Sequence, residues 1–156
     1  IAVGANNTAD AASMLIEYGY IYEPQLNDSQ VRPLYLKEVA YETYLGLMDF
    51  FDPVNASVES KTFDTLTLPY KWANPLTGKN DSAADVFALQ TAMILDGEYP
   101  PSGMTQSECP RTGKLGPCTK AALNAFQAKY DISGEKDIAG PKTLETLNKI
   151  YSSATL

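Results

Sequence analysis

The chain has 156 residues, 44% of them hydrophobic and 20% charged, which is a globular and not a disordered composition. Twelve Lys and Arg against nineteen Asp and Glu leave a formal charge of −7, which disfavours nucleic acid and anionic membranes as partners because both need a basic face. There is no histidine, so the chain alone supplies neither a Ser-His or Cys-His pair nor a His-ligated zinc, and no apolar run approaches the length of about eighteen residues that spans a bilayer.

The chain opens at Ile1 with neither Met nor the charged start, apolar run and small-residue cleavage site of a signal peptide, and it reads as a piece of a longer protein. Ile1-Ala2-Val3-Gly4 predicts a short strand entering a loop. Ser13-Met14-Leu15-Ile16 is a short apolar run between polar or small residues, which predicts a strand buried on both faces. It stops at Glu17, and residues 18–24 lead away as a loop. Pro33 suits the first turn of a long helix. The apolar stripe of that helix is Leu36, Val39, Ala40, Leu47 and Phe51, widened by Tyr44, Leu45 and Met48. Gly46 within it costs about 1 kcal/mol relative to Ala, which predicts close packing there. Strand, loop and long helix make residues 1–51 a fragment of an α/β domain.

Residues 52–81 read as a connector. Asp52-Pro53 ends the helix, and Thr65-Leu66-Thr67-Leu68 alternates like a short strand or an extended clamp. Tyr70 and Trp72 flank Lys71, either packing onto the next domain or forming a platform for a sugar.

Residues 82–156 read as an all-α unit of three helices. The first opens on Ser82-Ala83-Ala84-Asp85, a capping-box pattern, and buries Val86, Leu89, Met93 and Ile94 before Asp96-Gly97. A long loop over residues 98–116 follows. The second helix runs from about residue 117 to 130, with Ala122, Leu123, Phe126 and Tyr130 inward. The third runs from about residue 141 to 151, with Leu144, Leu147 and Ile150 or Tyr151 inward. The unit contains an echo. Gly116-Pro117-Cys118-Thr119 returns as Gly140-Pro141-Lys142-Thr143, and Leu89-Gln90 is matched by Phe126-Gln127. Gly permits a turn, Pro presets the first helical φ and Thr caps exposed amides, so both copies begin helices. Gln90 and Gln127 are expected to hydrogen-bond backbone between the helices.

Cys109 and Cys118 bracket Pro110-Arg111-Thr112-Gly113. With no other Cys or His they complete no tetrahedral zinc site. They fit a disulfide stapling the loop to the second helix, worth roughly 2.7 kcal/mol on the chain-entropy model, or else two buried thiols in a reducing compartment.

The matched residues carry a resemblance. Asp85-Val86, Leu89-Gln90, Gly113-x-Leu115-Gly116-Pro117-x-Thr119, Ala122-Leu123, Phe126-Gln127, Ile132, Ile138-Ala139-Gly140-Pro141-x-Thr143 and Leu147 make residues 82–151 resemble a peptidoglycan-binding-like domain of bacterial cell-wall hydrolases. The chain departs from that pattern in the long Pro- and Cys-containing insert between the first two helices. Residues 13–21, Ser-Met-Leu-Ile-Glu-Tyr-Gly-Tyr-Ile, with the long helix after them, are similar to the end of a zinc-dependent N-acetylmuramoyl-L-alanine amidase domain. Glu23 stands where that family often has Asn. These modules are commonly joined in this order.

The resemblance implies an α+β protein: the C-terminal fragment of an amidase-like α/β domain over residues 1–51, a linker over 52–81, and a three-helix bundle over 82–156. It places Glu17 on the amidase's catalytic glutamate, which polarises a zinc-bound water and carries its proton to the leaving amine. Zinc is expected only in a complete amidase domain, because its His ligands are missing from this chain, which is expected to be inactive alone. Peptidoglycan is the expected partner, together with an upstream amidase segment or a partner chain. Contacts to it are expected from Tyr99, Arg111 and Lys114, at a groove beside the insert. The alternative is a structural module that docks on a partner catalytic chain. A disulfide and a wall ligand both imply a secreted or cell-wall location.

Overall fold

The computed structural model describes residues 15–51 and 67–153. The described residues form helices α1 (Pro24–Asn27), α2 (Val31–Phe51), α3 (Ala83–Leu95), α4 (Pro117–Lys129) and α5 (Pro141–Tyr151). Among them there is no strand, and their β-type pairing is one isolated antiparallel bridge between Leu76 and Ala139.

The α+β expectation is therefore corrected to a helical fold. Leu15 and Ile16 have no regular structure, and at 68% and 39% exposed they are not the buried half of a strand; Ser13 and Met14 lie outside the described residues. A short apolar run forms a central strand only when sheet partners cover both faces, and the described residues provide none. The short strand expected at residues 1–4 also lies outside the described residues.

Asp28 starts α2. Its Oδ1 accepts the Gln30 and Val31 amides at 2.8 and 3.0 Å, and Pro33 sits in the first turn, where its missing amide costs nothing. The helix buries Val31, Glu38 and Val39 against the rest of the chain, and not the Leu36–Leu47–Phe51 stripe, which stays exposed. Nothing lies within 4 Å of a Cβ built at Gly46, so the close packing expected there is not what the glycine provides.

Helix α3 is the centre of the fold. Ser82 caps it by accepting the Asp85 amide, but Asp85 does not return the bond; its carboxylate accepts instead from the Tyr70 hydroxyl. Every residue from Val86 to Met93 is buried, including the polar Gln90 and Thr91, and α2 and α4 pack against this helix. The segment before it contributes Leu68, Trp72 and Leu76 to the same core as Leu89, Met93, Leu123, Phe126 and Leu147. Trp72 is only 2% exposed, which excludes it as a sugar platform. Its indole donates to Asp85 O, and its backbone exchanges two 2.9 Å hydrogen bonds with the Asn148 side chain on α5.

Helices α4 and α5 both begin at Gly-Pro, with the glycines as N-caps at φ −86° and −82°. These values are open to any residue, so the turn itself does not require glycine. At Gly140 the requirement is space. A Cβ there would lie 2.6 Å from the Glu135 carboxyl carbon, and that carboxylate accepts the Lys142 and Thr143 amides at 2.9 Å, capping α5. At Gly116 a Cβ would meet nothing within 4 Å. The threonines do not cap amides. They turn inward and receive the glutamines of the preceding helix: Gln90 Nε2 donates to Thr119 Oγ1, and Gln127 Nε2 to Thr143 Oγ1.

The far end of the bundle is gathered on one carboxylate. Asp96, just past α3, accepts from Lys129 Nζ and Tyr130 Oη at 2.9 Å and from Tyr151 Oη at 3.2 Å. Burial first, and then the Asp96 charge, push the Tyr151 phenol well above its ordinary range.

Candidate functional site

At the other end of α3, the insert loop folds back between α2 and α3. Gly113 marks the passage. It has φ +69°, its amide donates to Gln90 Oε1 at 3.0 Å, and a Cβ on it would lie 2.4 Å from the Val31 side chain and 2.7 Å from the Ala83 carbonyl oxygen. Gln30 Oε1 ties the same corner by accepting the Ala83 amide at 3.0 Å. The Cys109–Cys118 disulfide, with Cα atoms 5.8 Å apart, anchors the loop to the first turn of α4 as a staple. Tyr99 locks its base, donating to Pro110 O at 3.1 Å.

Arg111, held by this loop, points at α2. Its guanidinium pairs with Glu38 Oε2, donates from Nη1 to Thr91 Oγ1 at 3.0 Å, and lies 4.8 Å over the Phe87 ring. Glu38 is 5% exposed and accepts on Oε1 from the Thr67 hydroxyl. A buried carboxylate and a guanidinium that is 14% exposed thus hold α2, α3, the insert and the end of the connector together. Desolvation is offset at such a pair only because several partners converge on it.

Beside the pair is a cleft of about 350 Å³ between α2, α3 and the insert, lined by Gln25, Tyr35, Glu42, Ile94, Pro110 and Arg111, among others. The cleft wall desolvates the Glu42 carboxyl and raises it above the usual range; Arg111 opposes that shift and Glu38 adds to it. Burial likewise raises the Tyr35 phenol, whose hydroxyl donates to Tyr18 O at 2.7 Å. A second, more open hollow of about 240 Å³ lies beside Asn124, Ile132 and Gly134.

The residues singled out in the sequence are placed as follows. Arg111 lines the cleft. Tyr99 is buried behind it and offers its hydroxyl to Pro110, not to solvent. Lys114 is exposed; its carbonyl accepts from Gln90 and Thr119. Glu17 is exposed on an irregular segment and is not part of the cleft lining, so it is not brought together with the other three. The residues not singled out are Gln25, Tyr35, Glu38, Glu42 and Thr91. The usable signal was a pair of carboxylates at Glu38 and Glu42, one helical turn apart on the long helix.

The donor chemistry does not fit the zinc that the amidase resemblance implies. The chain has no histidine, both cysteines are in the disulfide, and among the described residues no three acidic side chains converge. Among the described residues, no helix is long and apolar enough to cross a membrane. In the comparisons with known proteins, no family model, curated protein or solved structure matches the chain.

Proposed function

We propose that the chain is a non-catalytic module that binds peptidoglycan outside the cytoplasm, using the face formed by the insert loop and the adjoining cleft. One observation carries the reading. The insert that separates this bundle from the resembled pattern is stapled by a disulfide and walls a cleft, whereas the repeated Gln and Thr residues are spent on internal hydrogen bonds. The staple also favours an oxidising compartment. Any bond cleavage belongs to a partner chain or another part of the protein.

The test is co-sedimentation of the full chain with insoluble peptidoglycan, with cellulose as control. Pelleting with peptidoglycan alone is the expected result, and equal recovery with both polymers, or with neither, overturns the reading.

A second reading, a module that docks on a catalytic partner, is favoured by the exposed Leu36, Leu47, Phe50 and Phe51 on α2. It predicts retention on an immobilised wall hydrolase and loss of that retention in Phe50→Ser/Phe51→Ser.

A further inference from the structure

We propose that the cleft between α2, α3 and the insert is a binding site for a primary ammonium group carried on a short aliphatic stem. Gln25 is 4% exposed and lines the cleft. Its Nε2 is given to the Glu23 carboxylate, so the amide is oriented, and its Oε1 has no hydrogen-bond partner. A buried acceptor left unmatched calls for a donor from outside. The donors of the cleft do not supply one. Arg111 is engaged by Glu38 and Thr91, the Thr91 hydroxyl donates to Phe87 O at 3.0 Å, and the Tyr35 hydroxyl donates to Tyr18 O.

Apart from the exposed Gln106 amide, what the cleft offers is therefore acceptors and negative charge. Arg111 neutralises Glu38, while Glu42 has no ion-pair partner among the described residues and leaves the lining one charge negative. An ammonium brings three donors on a compact charge, which matches a lining that contains the unpartnered Gln25 oxygen and the Glu42 carboxylate. Val39, Ile94, Leu95 and Pro110 supply apolar wall for the methylenes behind it. A volume of about 350 Å³ is at the small end of ligand sites and suits a side-chain-sized group.

The inference goes beyond the wall reading and does not depend on it, since the probes are small amines whose binding is read without any polymer. The experiment is a ¹H–¹⁵N NMR titration of the full chain near neutral pH with pentylamine and with Nα-acetyl-lysine amide, using 1-pentanol as the uncharged control. Saturable shifts of the Gln25 side-chain amide and the Arg111 Nε–H are expected with both amines and not with pentanol. Tighter binding of the blocked lysine assigns the amine to a peptide, and equal binding assigns it to a free alkylamine. Glu42→Gln, on an exposed position that leaves the helix intact, is expected to weaken binding about fivefold. Gln25→Leu keeps the apolar packing, removes the acceptor, and is expected to lose the saturable shifts. No saturable shift with either amine, equal shifts with pentanol, or unchanged affinity in Glu42→Gln would overturn the proposal.

Discussion

Gln90 Nε2 donates to Thr119 Oγ1 across 2.8 Å, and one helix later Gln127 repeats the bond to Thr143 across 2.9 Å. Each glutamine also satisfies the loop it spans. Gln90 Oε1 accepts the Gly113 amide, and Gln127 Nε2 reaches the Glu135 and Ile138 carbonyls at 2.9 and 2.8 Å. The internal echo is thus a clamp used twice, and it sets how each helix enters from its loop. Gln90→Leu strands the Gly113 amide in a buried corner, while the Lys114 carbonyl keeps its bond from Thr119, and is expected to cost about 1–3 kcal/mol in urea unfolding. A loss below about 1 kcal/mol would mean that the clamp is incidental.

This pattern was legible because it is local and repeated. Gly-Pro-x-Thr placed both helix starts, and the 3.6 period gave Ala122, Leu123, Phe126 and Leu147 as core, all fully buried. Two other features were not. The Leu15-Ile16 run was assigned to a strand from its apolar character and its polar or small neighbours, a pattern too short for periodicity to tell strand from coil, and that assignment failed. The buried face of α2 centres on Glu38, a carboxylate no hydropathy stripe marks, and its partner Arg111 lies 73 positions away in a loop (111 − 38 = 73). A long-range ion pair leaves no periodic trace in a sequence.

The same substitution is expected to act with opposite signs at two glycines. Gly113→Ala forces a Cβ into the Val31 side chain and the Ala83 carbonyl at a left-handed φ, and is expected to destabilise by about 2–4 kcal/mol. Gly46→Ala meets open space within α2 and is expected to stabilise by about 0.5–1 kcal/mol. Thermal unfolding of the two variants checks both signs together.

Acid should weaken the fold through Glu135. Desolvation would raise its carboxyl, but the Lys142 and Thr143 amides, with the Thr143 hydroxyl at 2.7 Å, outweigh it and hold the group below the ordinary value of 4.5. A carboxyl depressed in the folded state adds stability that is complete above its unfolded value and disappears as pH falls through the folded one. Glu135→Gln is expected to lower stability at neutral pH by about 1–2 kcal/mol and to flatten the acid limb below about pH 4.5. Urea midpoints measured across that range decide it, and parallel curves for variant and parent would refute the assignment.

Reducing the Cys109–Cys118 bond, or replacing both residues by Ser, releases the insert from α4. The expected cost is about 2–3 kcal/mol, with the Gly113 and Arg111 amides gaining hydrogen exchange before the core of α3 does. Uniform acceleration across α3, α4 and α5 would show instead that the staple supports the whole bundle.

The central claim is that the insert-side face holds a wall ligand, and its most direct test is chemical-shift mapping of the full chain with a soluble muropeptide. The account predicts saturable shifts concentrated at Gln25, Glu42, Thr91 and Arg111. Shifts concentrated at the Asn124–Ile132–Gly134 hollow, or no saturable shifts at all, would contradict it.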